Sequence, residues 1–66
     1  MIKKDTFKIG FAWLDVWQEA SGKYLFEPYV VKRDASGRSS KYTVEESIAM
    51  QKLLQRAFEI YGVASG

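Results

Sequence analysis

The hydrophobic pattern of the last third of the chain predicts one α-helix from about residue 44 to residue 61. Thr43 and Glu46 have the spacing of a capping box, in which each side chain accepts a hydrogen bond from the backbone amide of the other residue. Neither proline nor glycine occurs between this cap and Gly62, which stands where a left-handed residue commonly ends a helix. On a helical projection the apolar residues cover roughly 240°, whereas one sheet buries a stripe of little over 100°. The excess has two interpretations: either Ile48 and Ile60 are simply exposed surface residues, or a second copy or a partner covers one flank of the helix.

Alternation of large apolar residues with other residues predicts three β-strands upstream of the helix. They cover about residues 7–18, 24–33 and 38–42. Gly22 in the first turn and residues 34–37 in the second are typical of hairpin loops. A bend is expected at Gly10, because glycine weakens the interior of a strand. The sequence therefore predicts one small α+β domain over residues 1–66: a three-stranded antiparallel β-meander followed by one C-terminal α-helix packed on one face.

A two-residue turn at Ser21 and Gly22 would set the register of the first hairpin. In that register Trp17 faces Phe26, and the aromatic side of the first strand receives the helix. The opposite side is then apolar as well, although a solvated sheet face should be mostly polar. Either the register differs from this one, or the second face meets a partner. In the second case this face, or a flank of the helix, forms a protein interface. The candidate interface residues are Leu14, Val16, Tyr29 and Val31 on the sheet and Ile48, Leu53 and Ile60 on the helix.

Side chains suited to catalysis or metal binding are scarce in this chain. It contains no cysteine and no histidine, so it has no disulfide, no thiolate zinc site and no imidazole ligand or base. Asp15, Glu19 and Glu27 lie near the first hairpin, and we interpret them as solvated charges at strand ends. We expect no enzymatic activity, no cofactor and no small-molecule substrate. Because a chain of 66 residues builds only a small core, homodimerisation is the expected additional source of stability.

Basic residues are concentrated at the N-terminus and around the second turn, although the net charge is only +2. In an antiparallel meander Lys3 and Lys4 would lie beside that turn, so that seven of the ten basic residues collect at one end. A patch of this kind is typical of a surface that contacts phosphates or an acidic protein. The candidate contacts are Lys8, Lys32, Arg33, Arg38 and Lys41.

Residues 29–49 combine a hairpin, a short strand and a capped helix start. The residues that define this stretch are Lys32, Arg33, Asp34, Gly37, Arg38, Lys41, Tyr42, Thr43 and Glu46. It resembles the arm-binding, AP2-like DNA-binding domain at the N-terminus of phage-type tyrosine integrases. The resemblance implies a three-stranded sheet that enters the major groove of DNA while one helix packs behind it. The predicted outer face departs from that family, because residues such as Leu14 and Val31 replace base-reading donors.

Two functional hypotheses follow from these observations. The first is a small non-enzymatic protein-interaction module, of the kind with which phages and mobile elements inhibit or adapt a larger complex, and it includes a homodimer. The alternative is a DNA-binding protein that uses the three-stranded sheet and the basic patch. No segment has the length and apolarity of a signal peptide or of a membrane span, so we expect a soluble cytoplasmic protein with no membrane partner.

Overall fold

The strands form one antiparallel sheet. The computed structural model describes residues 1–31, 38–39 and 41–62, and residues 38 and 39 are described by their backbone alone. The strands, in their order across the sheet, are β1 (Ile2–Ile9), β2 (Ala12–Gln18), β3 (Tyr24–Val31) and the short β4 (Arg38–Ser39). The predicted turn at 34–37 and the candidate contacts Lys32 and Arg33 lie outside the described residues.

One helix, α1 (Val44–Ala57), follows the strands and packs against one face of the sheet. It begins at the predicted capping box: the Thr43 amide donates to Glu46 Oε1 at 2.9 Å, and the Glu46 amide donates to Thr43 Oγ1 at 3.1 Å. The predicted α+β class is therefore confirmed, since β1, β2 and β3 form an open antiparallel sheet with a single C-terminal helix on it.

The α-helical geometry ends four residues before the predicted position, and one π-helical turn (Phe58–Gly62), here called the π segment, continues the chain. Its aromatic residues contact the sheet. The Phe58 ring meets Phe26 edge to face with centroids 5.0 Å apart, and the Tyr61 ring lies 5.0 Å from Tyr24. A side chain at Gly62 would clash with the Phe58 ring. The need to place both rings on the sheet accounts for the local departure from α geometry, since π turns are otherwise rare.

The predicted first strand, 7–18, is wrong, because it is two strands joined by a tight hairpin at Gly10 and Phe11. Gly10 has a φ of 57°, and glycine at the first central position is typical of a type II′ turn. Large apolar residues continue at every second position through the turn, so the period-two pattern does not reveal it. The segment before residue 7, which lies outside the predicted strand, therefore belongs to β1 and pairs with β2.

The predicted register of β2 against β3 is also wrong, by one residue. Trp17 pairs with Leu25 rather than Phe26, and Trp13 pairs with Tyr29. The connection has five residues: the amide of Glu19 donates to the Lys23 carbonyl, and the amide of Gly22 donates to the Glu19 carbonyl, both at 2.9 Å. This loop is longer than the assumed two-residue turn, and a shift of one residue exchanges the two faces of a strand. The aromatic face of β2 consequently points away from α1.

The core lies between α1 and the opposite face of β2. Its buried members are Ala12, Leu14, Val16, Met50, Leu53 and Ala57. The predictions that Leu14, Val16 and Leu53 form a protein interface are therefore wrong: each is at most 3% exposed, because the chain's own sheet and helix bury it. Much of the wide apolar arc of the helix is thus satisfied within the chain.

Candidate functional site

The face of the sheet opposite α1, which we call the outer face, collects the polar and aromatic residues of three strands. Because successive side chains point to opposite faces, the register identifies its members. They are Lys3, Thr6 and Lys8 of β1, Trp13, Asp15 and Trp17 of β2, and Leu25, Glu27, Tyr29 and Val31 of β3. In the described part of the chain, no helix covers them.

A register shift in β1 explains how its lysines reach this face. Between Lys3 and Asp5 one residue is left out of the pairing with β2, as in a β-bulge. Lys3, on one side of the shift, therefore shares the outer face with Lys8, although the two positions differ by an odd number.

Asp5 points to the opposite face, where its Oδ2 accepts a hydrogen bond of 3.0 Å from Tyr61 Oη. That bond raises the pKa of Tyr61, with smaller contributions from burial and from the charge of the Asp5 carboxylate.

Asp15 is the centre of the outer face and is completely buried. Its Oδ1 accepts hydrogen bonds from Thr6 Oγ1 at 2.8 Å and from Tyr29 Oη at 3.1 Å. The Lys3 ammonium lies 3.5 Å from Oδ2. A buried carboxylate is costly unless hydrogen bonds and an opposite charge compensate it, and all three neighbours do so. The interpretation of Asp15 as a solvated charge is therefore wrong, and the carboxylate ties β1, β2 and β3 together.

Two tryptophans flank Asp15 along β2, and each carries a lysine from β1 on its ring. The Lys8 ammonium lies 4.1 Å from the centroid of the Trp13 ring, and the Lys3 ammonium lies 5.2 Å from that of Trp17. Both distances are within the range of cation–π attraction. The rings are held from the β3 side as well: Trp17 Nε1 donates to Glu27 Oε1 at 3.1 Å. The aromatic groups are thus fixed in position while remaining partly exposed.

An open apolar groove of about 380 Å³ lies at one end of the outer face, lined by Met1, Trp17, Leu25 and Glu27. Its walls are mainly apolar, and the Glu27 carboxylate is the polar group at its edge. Such a groove suits an apolar side chain with a hydrogen-bonding or basic neighbour.

The predicted basic patch is divided between the two ends of the sheet. Lys8 lies in the row of Trp13 and Tyr29, close to the end where β4 joins β3 with Arg38 opposite Val31. Lys3 lies in the row of Trp17 at the other end, because β1 is a separate strand that runs back along β2. The expectation that the N-terminal lysines gather beside the second turn is therefore wrong. Lys41 is exposed just before α1.

The remaining candidate interface residues are distributed over both sides of the molecule. Tyr29 is buried against Asp15, and Val31 is partly buried at the end of β3. Ile48 and Ile60 are half exposed on the helical layer, at 50% and 51%. The outer-face residues that the sequence interpretation missed as a site are Lys3, Trp13, Trp17 and Glu27. The alternation of these residues along the strands is visible in the sequence, but only the correct register shows that their side chains point away from α1.

The described residues hold no group of three or more acidic side chains arranged to bind a metal ion. Among the helices described here, none combines the length and the apolarity needed to cross a membrane. Comparison with protein-family models, with curated proteins and with solved structures finds no match for this chain.

Proposed function

We propose that this chain is a protein-interaction module and that the outer face of its sheet is the surface that binds the partner. The observation that carries the proposal is the pair of tryptophans on the face opposite α1, Trp13 and Trp17, held between lysines and β3. Tryptophan and tyrosine dominate the binding energy of protein interfaces, because they bury a large area at a low cost in side-chain entropy.

The rigidity of these rings supports the proposal. Ordering a flexible side chain upon binding costs about 0.5–1.5 kcal/mol, and this cost lowers affinity. Trp17 is already held by Lys3 and Glu27, and Trp13 by Lys8 and by Tyr29, whose ring centroid is 6.0 Å away. Most of the entropy cost of fixing the two tryptophan rings therefore arises during folding, before a partner binds. A partner gains the burial of the rings with little further loss of entropy.

The charges of the outer face favour a protein over a nucleic acid as the partner. Among the side chains described on this face, Lys3 and Lys8 are balanced by Asp15 and Glu27. A polyanion gains affinity by releasing counterions at uncompensated positive charges, and these four described side chains carry no net charge between them. Protein interfaces, in contrast, combine aromatic residues with balanced polar groups.

Photo-crosslinking tests the proposal directly. Benzoylphenylalanine in place of Leu25 lies in the apolar groove, and the same group in place of Lys52, which is exposed on α1, is the matched control. We expect a protein-to-protein crosslink from position 25 in extracts of the source cells, or in the purified protein, and a much lower yield from position 52. Circular dichroism confirms that both variants are folded.

Binding of duplex DNA is the alternative outcome of the same test. If position 25 crosslinks to nucleic acid, and if duplex affinity falls steeply between two salt concentrations and falls further upon Lys8→Ala, the DNA-binding hypothesis replaces the proposal. Equal crosslinking yields from positions 25 and 52 would contradict both hypotheses.

A further inference from the structure

We infer that the partner of the outer face is a second copy of this chain, bound face to face about a twofold axis that runs parallel to β2. The inference rests on the proposed interaction function and names its partner. It follows from the distribution of charge across the three strands of the face, from the shape of the molecule and from the size of the chain.

The three strands of the outer face carry three different kinds of side chain. The β1 column contains the cations Lys3 and Lys8, and the β2 column contains the two tryptophans around Asp15. The β3 column contains the exposed anion Glu27. Among the described side chains of these three strands the charges nearly balance, and they run from positive at β1 to negative at β3. The outer face is therefore complementary to a surface on which the charge runs in the opposite direction, from negative to positive.

A twofold axis parallel to β2 supplies that opposite order. Rotation about such an axis places the β2 strand of one copy over the β2 strand of the other, and the β1 strand of each copy over the β3 strand of the other. Each row of side chains keeps its position along the strand direction. Glu27 lies one row from Lys8 and one row from Lys3, so the Glu27 of each copy falls between both lysines of the other. Rows on one face are about 7 Å apart along a strand, a distance that lysine and glutamate side chains bridge together.

The aromatic residues meet their own copies in this arrangement. Trp13 and Trp17 lie on the central column, closest to the axis, where an interface is driest and its tryptophans contribute most. Facing sheets of this kind pack about 10 Å apart with their strands within about 30° of each other.

The shape of the molecule provides enough area for such a contact. Its Cα atoms span 37 × 22 × 15 Å, and α1 packs against the inner face of the sheet. The two longer dimensions bound an area of about 800 Å², the area per partner that a standard stable interface requires. A chain of 66 residues without cysteine also gains most from a second copy, because its own core is small.

Charge reversal with mutual rescue tests the inference. In the face-to-face dimer, Lys8→Glu brings two acids together and Glu27→Lys brings two lysines together. Each variant alone should raise the dimer dissociation constant by about 100-fold or more, because like charges within an interface cost several kcal/mol. An equimolar mixture of the two variants restores both opposite-charge pairs. It should form a heterodimer with an affinity within about tenfold of the wild-type dimer.

Sedimentation equilibrium of the full chain provides the measurement, and Trp fluorescence provides a second one, because both tryptophans of the chain lie on this face. Dimerisation should shift the emission to shorter wavelength and protect the rings from acrylamide. The controls are Lys52→Glu and Glu59→Lys, the same charge reversals at exposed positions of the helical layer, and both should dimerise like the wild type. Thermal unfolding of each variant shows that its fold is retained.

The inference is overturned if the wild-type chain remains a monomer at about 1 mM, the weak end of measurable affinity. It is also overturned if the chain dimerises but neither charge reversal weakens the dimer, or if the mixture is not rescued. If a charge-reversal variant fails to fold, the purified chain that carries only benzoylphenylalanine at position 25 provides the test instead. A crosslink between two copies of this chain would double the mass of the product. A monomeric chain that crosslinks to a different protein from position 25 would reject the second copy and leave the proposed interaction function standing.

Discussion

The two faces of the sheet use the same three strands but differ in how their side chains are held in place. On β2, the inner residues Leu14 and Val16 are fully buried by aliphatic contact with α1, whereas the outer residues Trp13 and Trp17 are only partly buried. The outer face is ordered instead by hydrogen bonds to Asp15 and by lysines stacked on rings. A sheet covered on one side can thus keep large aromatic side chains rigid on the other side without a second layer. Such side chains remain available for binding.

Matched leucine substitutions on the two faces give the largest expected difference. Leu14→Ala should reduce the free energy of unfolding by about 2–5 kcal/mol, because it leaves a cavity in the core. Leu25→Ala on the outer face should cost less than about 1 kcal/mol, because Leu25 is partly exposed and the site can relax into solvent. Urea denaturation followed by circular dichroism measures both values. Similar losses for the two variants in the monomeric state would show that the outer face is as essential to the fold as the core.

The sequence correctly predicts the elements that depend on residues close together in the chain. It does not predict the features that depend on contacts between residues distant in the chain. The helix start follows from Thr43 and Glu46 alone, and both hydrogen bonds of the capping box form as predicted. The register of β2 against β3 depends instead on a five-residue loop whose hydrogen bonds involve Glu19, Gly22 and Lys23. Several turn geometries are compatible with that loop sequence. If two of them differ by one residue in the register that they produce, the side chains of a strand move to the opposite face of the sheet.

The outer face was unpredictable for a related reason. Asp15 is acceptable inside the sheet only because Thr6 lies beside it on β1 and Tyr29 lies beside it on β3. Neither neighbour can be assigned before the hairpin at Gly10 and the register are known. A charged residue in the middle of an apolar strand was the available signal. Such a residue indicates either an interruption of the strand or a compensated buried charge, and only the folded pairing distinguishes these cases.

Removal of the Asp15 carboxylate tests whether the outer face is ordered by polar contacts. Asp15→Ala should reduce the free energy of unfolding by about 1–3 kcal/mol, because the hydroxyls of Thr6 and Tyr29 lose their acceptor. For a domain of this size that loss lowers the melting temperature by roughly 4–24 °C. Acrylamide quenching of Trp13 and Trp17 should increase as well, since Lys3 is released. The control is Glu59→Ala, which removes an exposed carboxylate from the helical layer and should change the melting temperature much less. Equal effects of the two variants would mean that the burial of Asp15 contributes nothing specific.

The smallest expected effect concerns the edge of the inner face, where Tyr61 of the π segment donates a hydrogen bond to Asp5 of β1. This bond raises the pKa of Tyr61 above the ordinary value of 10.0. Because the folded pKa is higher than the unfolded one, the bond stabilises the fold fully below about pH 10 and is lost as the pH rises through the folded pKa. Tyr61→Phe should therefore be less stable than the wild type at about pH 8, and the gap should be smaller at about pH 11, because above about pH 10 the unfolded tyrosine ionises while the folded one still holds the proton of the bond. Urea denaturation at both pH values measures the gap, with Tyr42→Phe, a substitution at an exposed position before α1, as the matched control. A gap that does not change with pH would show that Tyr61 stabilises the protein through its ring contact with Tyr24 rather than through its hydroxyl.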